Sequence, residues 1–252
     1  MQTNTLTKIG EKEERRRLIL TLGRGYSGKT LWSRWLVEAM HARGVSPVAA
    51  DADNITHGLS RHNDGALRLG SEPDALATWW RTLTTNGSEL AGRPVVVDFS
   101  PDKGLIRSVA VSGSDFADRH AALGFDVTKV FFSAPDVGDA VTFANAGTSV
   151  TATTTLLVLN GGAVGTRKSD RFDAVLAHPA VRQAVETGAR VVRMPELHLD
   201  PNKTGEIANF TALVEGEPGE ADAASFERHA VRTWLGRMEE VFAPFHWELA
   251  LG

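Results

Sequence analysis

Gly23-Arg24-Gly25-Tyr26-Ser27-Gly28-Lys29-Thr30 matches the phosphate-binding pattern G-x-x-x-x-G-K-[ST]. An apolar run, Leu18 to Leu22, precedes this octapeptide and has the length and the bounding glycine of a buried parallel strand. Apolar residues follow it at helical spacing, up to Met40. The segment is therefore predicted to form a strand, a glycine loop and a helix, which is the arrangement that binds a nucleoside triphosphate. The alternative interpretation is a tight turn before a helix.

The residue types in this loop suit a polyanion. The first amide groups of a helix lack partners within the helix and lie at the positive end of its dipole, so they can bind phosphate oxygens. We expect Lys29 to contact the β- and γ-phosphates and the Thr30 hydroxyl to bind a bridging magnesium ion. The predicted nucleotide-binding set is Gly23, Gly25, Tyr26, Ser27, Gly28, Lys29, Thr30 and Leu31.

The composition is that of a globular protein with one large core. Hydrophobic residues make up 42% of the 252 positions and charged residues 23%. Because 27 Lys and Arg face 31 Asp and Glu, the net charge of −4 provides no general attraction for nucleic acid. The chain has no cysteine, which excludes disulfides and thiolate chemistry and fits a reducing compartment. No apolar run approaches the length of a membrane span, so we expect a cytoplasmic protein.

Apolar runs alternate with amphipathic stretches along the chain, which predicts βαβ units and a doubly wound, mostly parallel sheet with helices on both faces. Residues 1–17 are predicted to form a flexible arm, and residues 18–252 a single α/β domain. Helices are predicted at 75–85, at 170–187 and at 223–242, with a long surface loop at 200–220. In the last helix, Phe226, Trp234, Leu235 and Met238 are expected to pack on the sheet. Further strands are predicted at 45–50, 94–99, 128–133, 155–160 and 190–194.

Acidic residues close two of these strands, at the edge of a doubly wound sheet where ligands bind. Asp98 follows three valines, which is typical of a Walker B carboxylate that holds magnesium directly or through water. Asp51 and Asp53 close another strand. One of them is predicted to orient the attacking water, and Asp51 is also a candidate magnesium ligand. The alternatives are a turn cap for Asp98 and a hydrogen-bonded loop start for Asp51 and Asp53.

Asn160 closes a further strand and is a candidate for contact with the purine base. A guanine-reading N-K-x-D motif would need Lys and Asp after it, whereas the chain continues Gly161-Gly162-Ala163. The sequence therefore favours adenine, and hence ATP with Mg²⁺. Pro195 and Glu196 are candidates for packing beside the same base, with a simple turn as the alternative.

These motifs, in this order, resemble the MinD/ParA family of P-loop ATPases, whose members carry a deviant Walker A motif, a D-x-D strand end and a Walker B strand with a proline turn. The matching segments here are 25–30, 51–53 and 98–101. The resemblance spans about residues 18 to 200. Within the family, the chain looks most like the divergent branch that serves plasmid partition, stability or conjugative transfer.

The resemblance implies an ATP-dependent homodimer that hydrolyses ATP slowly and is recognised by a protein partner. It also implies that Arg24, at the place of the family's signature lysine, acts across the dimer interface as a catalytic residue beside Lys29. Members of the family bind DNA or membrane. Here Arg228, Arg232 and Arg237 give limited support for non-specific DNA binding, and the terminal segment 242–252 has no Lys or Arg for an anionic membrane.

Two other functions remain open at this stage. A P-loop kinase would need a lid with arginines, for which Arg61, Arg68 and Arg81 are candidates. A module that binds ATP without hydrolysing it would use the nucleotide only to order an interaction surface.

Overall fold

The computed structural model describes residues 15–53, 56–72, 74–85, 90, 92–99, 115–164, 172–216 and 223–252. Within these ranges seven strands form one sheet in the order β3-β2-β4-β1-β5-β6-β7. All neighbouring strands are parallel. The strands are β1 Arg16–Gly23, β2 Val48–Asp51, β3 Leu67–Arg68, β4 Val95–Asp98, β5 Phe125–Ser133, β6 Thr154–Asn160 and β7 Arg190–Met194.

Helices connect the strands and cover both faces of the sheet. They are α1 Lys29–Ala42, α2 Ala75–Thr84, α3 Phe116–Ala122, α4 Val137–Ser149, α5 Asp173–Leu176, α6 Pro179–Glu186, α7 Pro201–Glu206, α8 Phe210–Glu215 and α9 Ala223–Phe242. Two 3-10 turns, Gly161–Val164 and Ala243–Phe245, complete the described elements. In the described part of the chain, none of the helices combines the length and apolarity needed to cross a bilayer.

Each face of the sheet has its own hydrophobic core. On one face, Trp32 of α1 and Trp234 of α9 pack with Ile19 of β1. On the other, Phe116 of α3 and Phe143 of α4 pack against the alternate side of the strands. Successive strand side chains point to opposite faces, so the continuous apolar runs in β1, β4 and β6 fill both cores. The predicted doubly wound α/β fold is therefore confirmed.

The first strand begins earlier than predicted. Residues 1–14 of the predicted arm lie outside the described residues, but Arg16 and Arg17 belong to β1 and are buried. Arg16 donates to the carbonyls of Arg93 and Leu90 and lies over the ring of Phe125. Arginine can enter a sheet here because its donors meet backbone carbonyls and its flat face meets an aromatic ring. The boundary at residue 17 was thus wrong by two residues.

The predicted helix at 170–187 is two helices. Residues 170–171 lie outside the described residues, and α5 ends before His178, whose side chain caps α6 by accepting a hydrogen bond from Ala180 N. Pro179 occupies the first turn of α6, where its missing N–H costs nothing. Proline cannot continue a helix from the N-terminal side, so the chain breaks here.

The predicted loop at 200–220 contains α7 and α8, while residues 217–222 lie outside the described residues. Asp200 and Asn209 cap the two helices by accepting hydrogen bonds from backbone amides. The Glu38 carboxylate, from α1, accepts further bonds from the amides of Phe210 and Thr211. The predicted helix at 223–242 is confirmed. Its Trp234 and Met238 are buried as expected, but Phe226 is 67% exposed.

The parallel strands bring their carboxyl ends to one edge of the sheet. In the register, Thr21 of β1 pairs with Asp98 of β4, which pairs with Asp51 of β2. β1 lies between β4 and β5, so the chain leaves β1 at the point where the strand order reverses. Ligands of doubly wound proteins bind in the crevice at such a point.

Candidate functional site

The loop of residues 23–28 joins β1 to α1, and its backbone shape depends on glycine at two positions. Gly23 and Gly28 have φ values of 139° and 94°. A Cβ at Gly23 would lie 2.5 Å from the carbonyl oxygen of Phe132, and one at Gly28 would lie 2.3 Å from the Asn160 side-chain nitrogen. A side chain is therefore disfavoured at both positions, because the backbone has a positive φ and because a Cβ would collide with a residue of a neighbouring strand.

Tyr26 lies at the tip of this loop, and its side chain is fully exposed; its neighbours Arg24 and Gly25 are also exposed. Its φ of 60° is in the left-handed region, which costs a non-glycine residue about 1 kcal/mol. Ser27 is buried behind the tip, where its hydroxyl donates to the carbonyl of Arg24 at 2.8 Å. The tyrosine thus leaves the inner side of the loop to main-chain groups.

The first turn of α1 presents its amide groups to this loop. Gly28 is the N-cap, and within α1, which the structure describes completely, no side chain caps the helix and no acidic residue stands in the first turn. The amides of Lys29, Thr30 and Leu31 are therefore available to an anion at the positive end of the helix dipole.

Lys29 spans the loop from the start of α1. Its ammonium donates to the carbonyls of Gly23 at 3.2 Å and Arg24 at 2.8 Å. The side chain is buried, and burial lowers the pKa of Lys29, while the negative charges of Asp98, Asp53 and Asp139 raise it. The lysine therefore stands among three carboxylates and holds the two ends of the loop together.

Asp98 ends β4 beside this lysine, and its partners are side-chain hydroxyls. Its Oδ2 accepts a hydrogen bond from Thr30 at 2.7 Å, and its Oδ1 accepts one from Thr21 at 2.9 Å. The carboxyl group is completely buried, and this burial raises the pKa of Asp98 to about 6, although the bond from Thr30 and the charge of Lys29 oppose the shift. A buried carboxylate of this kind gains from an additional cation.

Thr30 and Asp98 fit a magnesium ion that is held largely by phosphates. Magnesium prefers oxygen ligands and often takes only one or two from the protein, with the rest from water and substrate phosphates. The described residues contain no group of three or more His, Cys, Asp or Glu that could hold a metal by themselves. The Thr30 hydroxyl and the buried Asp98 carboxylate would supply the two protein ligands of such a site, and water and phosphates the others.

Asp51 lies beside Asp98 in the strand register but has different partners. Its Oδ1 accepts a hydrogen bond from the amide of Asp53 at 2.9 Å, and its Oδ2 accepts one from the amide of Ser60 at 2.8 Å. This is the hydrogen-bonded loop start that the sequence analysis gave as the alternative. Asp51 therefore shapes the loop after β2, and its part in magnesium binding stays a prediction.

Asp53 also bonds within this loop. Its carboxylate accepts from the amide and the hydroxyl of Thr56, at 3.1 and 2.6 Å. The loop then passes close to the phosphate-binding loop, since a Cβ at Gly58 would lie 2.8 Å from the methyl group of Thr30. The loop after β2 thus brings Asp53 near Lys29 through a close approach at Gly58 that the sequence analysis missed.

Asn160 lies under the phosphate-binding loop. Its side-chain amide donates to the carbonyl of Ser27 at 3.0 Å, and its carbonyl accepts from the amide of Gly162 at 3.1 Å. Glu196 approaches Gly162 from the end of β7, and the Pro195 carbonyl accepts a bond from the Trp234 indole at 3.0 Å. Of the predicted base-contacting residues, Asn160 therefore contacts the loop and Glu196 lies near Gly162, while Asn160 and Pro195 take part in structural hydrogen bonds.

Arg24 pairs with two carboxylates of its own chain, which the sequence analysis did not single out. Its guanidinium lies 3.3 Å from Asp136 and 3.3 Å from Asp139. Asp139 is buried and accepts a hydrogen bond from the amide of Ala134 at 2.7 Å, while burial raises its pKa. Two acidic residues three positions apart, just after a buried strand, were the available signal. We call Arg24, Asp136 and Asp139 the Arg24 cluster.

No protein-family model and no curated protein sequence matches the chain. Among solved structures, it is similar to chloroplast FtsY from Physcomitrella patens, with 14% identity, a TM-score of 0.50, and coverage of 81% of this chain and 68% of that chain. It is also similar to the cell division protein FtsY from Thermotoga maritima, with 16% identity, a TM-score of 0.44, and coverage of 81% and 72%. At such identity the likeness concerns the fold alone. The chain has a doubly wound α/β fold of the P-loop NTPase type.

Proposed function

We propose that this chain is a magnesium-dependent ATPase that acts as a dimeric nucleotide switch of the MinD/ParA type. The observation that carries the proposal is the hydrogen bond of 2.7 Å between Thr30 and the buried Asp98, beside a helix start that no side chain caps. It joins the last residue of the phosphate-binding motif to the Walker B position, two motifs that lie far apart in the sequence. The process is proposed to be plasmid partition, stability or conjugative transfer, on the resemblance of the motifs.

The phosphates would be held by main-chain groups and one ammonium. The amides of the first turn of α1 donate to phosphate oxygens, and Lys29 exchanges the carbonyls of Gly23 and Arg24 for the β- and γ-phosphates. The Thr30 hydroxyl and Asp98 would hold magnesium, which would supply positive charge to the phosphates. Thr21 keeps Asp98 oriented through its own hydrogen bond.

The preference for ATP over GTP rests on Asn160 and the residues after it. Gly161, Gly162 and Ala163 lack the lysine and aspartate that a guanine-reading motif requires. Asn160 already bonds to Ser27 and Gly162, which leaves one amide hydrogen and one carbonyl lone pair for a base edge. Glu196 and Pro195 would lie beside the same base.

Dimerisation is supported by apolar side chains around the phosphate-binding loop. Tyr26 is fully exposed, and Val137 and Val141 of α4 are 48% and 47% exposed. Arg24 connects the two groups, because it belongs to the loop and pairs with Asp136, the residue before α4. This surface suits a second copy of the chain that faces the same edge. DNA has less support, because Arg228 and Arg232 donate to carbonyls of the α8 segment.

Asp53 is proposed to orient the attacking water. Replacing Asp53 by Ala should leave ATP binding within about threefold and lower the rate of phosphate release by about tenfold or more, because hydrolysis depends on positioning of water. Phosphate release without an added acceptor, measured together with ATP affinity, tests this. If the variant hydrolyses ATP at the parental rate, Asp53 only shapes its loop.

A module that binds ATP without hydrolysing it is the second candidate. It is favoured by the hydrogen bonds that engage Asp51 and Asp53 within their own loop. Phosphate release by the parent chain separates this candidate from the ATPase. Light scattering with and without ATP tests the dimer, and it separates a dimeric switch from a kinase that works as a monomer on a small acceptor.

A further inference from the structure

A cavity lies away from the nucleotide site, between α4 and α6. Its volume is about 490 Å³, and it is bounded by β5 and β6 on the sheet side. Small residues make the space, among them Gly147 of α4 and Ala184 of α6. We call it the α4–α6 cavity. α4 has 13 residues and is therefore about 20 Å long. Its first residue adjoins the Arg24 cluster and its last turns line this cavity, so the two sites are separate.

Lys129 of β5 lines the cavity and is 5% exposed. Its ammonium donates to the carbonyl of Val150 at 2.9 Å. A lysine ammonium has three donors, so this bond leaves two of them. Within the described part of the chain, no carboxylate forms an ion pair with Lys129, and burial lowers its pKa to about 8 with no charged neighbour to oppose the shift. An isolated buried cation is costly, because its charge has lost water without gaining a partner.

The rest of the lining adds neutral donors and apolar surface. Thr155 is the register neighbour of Lys129 on β6, and Thr153 lies just before that strand. Phe143 supplies an aromatic wall. Among the described lining residues from β5, β6, α4, α6 and the adjoining loops, Lys129 alone is titratable, and no acidic side chain is present. The cavity is therefore positive and half apolar.

We propose that the α4–α6 cavity binds a small organic monocarboxylate, with Lys129 as its charged anchor. One carboxylate neutralises one ammonium, and the threonine hydroxyls can donate to the same oxygens. A phosphate dianion would bring twice the charge to a single cation. The carbon body of the ligand would lie against Phe143 and the small residues of α4 and α6.

The test uses the full-length chain, labelled with ¹⁵N and titrated with sodium butyrate and sodium benzoate, and with neutral butyramide as the matched probe. We expect both carboxylates to shift resonances of the lining residues at millimolar concentration and butyramide to have at least about tenfold weaker effect, because a charged hydrogen bond is lost. Affinity for butyrate should fall about tenfold for each pH unit above about 8, as the Lys129 ammonium loses its proton. Equal binding of butyramide, or no response to either carboxylate, would overturn the proposal.

Two variants examine the anchor and the space separately. Lys129→Met keeps the length of the side chain and removes the amine, so it should weaken butyrate binding by about tenfold or more.

Gly147→Leu should block the cavity, because a Cβ there meets no atom within 4 Å and the larger side chain enters open space. Gly236→Leu, at a similarly open position of α9, is the matched control and should bind butyrate as the parent does. Parental binding by Lys129→Met, or by Gly147→Leu, contradicts the assignment. ATP affinity, measured on the same samples, should be unchanged in all three.

Discussion

The ends of β2 and β4 are neighbours, and each closes with a buried aspartate in the same register position. Asp98 of β4 accepts hydrogen bonds from the hydroxyls of Thr21 and Thr30, which belong to two other elements. Asp51 of β2 accepts its bonds from the main-chain amides of Asp53 and Ser60, in the loop that follows it. The two carboxylates are thus equally buried, but Asp98 accepts hydrogen bonds from side-chain hydroxyls and Asp51 from main-chain amides.

This difference separates a carboxylate that can accept a ligand from one that holds a loop. A hydroxyl can rotate, accept a hydrogen bond as well as donate one, and bind a metal through its oxygen. A main-chain amide can only donate, and it loses its partner if the carboxylate moves. We therefore expect substitutions of Asp98 to change the binding of cations and nucleotide. Substitutions of Asp51 are expected to lower the stability of the fold.

The largest expected effect is the pH dependence of stability that Asp98 contributes. Its folded pKa of about 6 lies above the ordinary value of 3.8, so between about pH 4 and pH 6 the folded chain binds more protons than the unfolded chain. Stability must then fall as the pH rises through this window, by about 3 kcal/mol for two pKa units at a fully buried group.

Chemical denaturation at pH 4, 5 and 6, without magnesium, measures this slope. Asp98→Asn removes the titrating group, so the difference between parent and variant isolates Asp98 from other acidic residues. If the free energy of unfolding changes with pH in the same way in the parent and in Asp98→Asn, the pKa of Asp98 is not raised by burial.

The same substitution at the two aspartates sharpens the comparison further. Asp51→Asn should lower the free energy of unfolding by about 2 kcal/mol, because its NH₂ group would face a backbone amide donor and leave that amide unsatisfied. Asp98→Asn should instead raise it at neutral pH, because a neutral amide avoids the cost of the ionised buried carboxylate and the hydroxyls of Thr21 and Thr30 can accept hydrogen bonds from it. Urea denaturation at neutral pH compares the pair. Equal losses at both sites would show that the kind of donor is unimportant.

The smallest expected effect on stability is at the Arg24 cluster. Arg24 is half exposed, and both of its ion pairs have long contacts, so Arg24→Ala should cost less than about 1 kcal/mol. It should leave ATP binding by the single chain intact and abolish ATP-dependent dimerisation, because the guanidinium is proposed to act across the interface. Light scattering with ATP measures this. A dimer of parental affinity in the variant would confine Arg24 to pairing with Asp136 and Asp139.

Local sequence patterns predicted the parts of the fold that depend on local signals. The glycine loop, the strand that ends at Asp98 and the helix at 223–242 each have a period, a breaker or a motif within a short window. The separation of α5 from α6 also had a local signal, Pro179, which the prediction of one helix at 170–187 did not use.

Long-range partners explain most of what the sequence analysis missed. α8 forms in a segment rich in turn residues, and the Glu38 carboxylate of α1 accepts hydrogen bonds from its first amides. Arg16 enters β1 because its partners are carbonyls some seventy positions away. Asn160 likewise bonds to the loop at Ser27. None of these pairings can be inferred from the neighbouring residues along the chain.

Calorimetric titration tests most directly whether the loop at 23–30 binds ATP with magnesium. We predict that the parent chain binds one ATP per chain, more tightly with magnesium than without it. Lys29→Ala should lose at least about a hundredfold in affinity, because its ammonium is expected to contact the β- and γ-phosphates. If the folded parent takes up no purine triphosphate with magnesium present, or if Lys29→Ala binds ATP as the parent does, the account is contradicted.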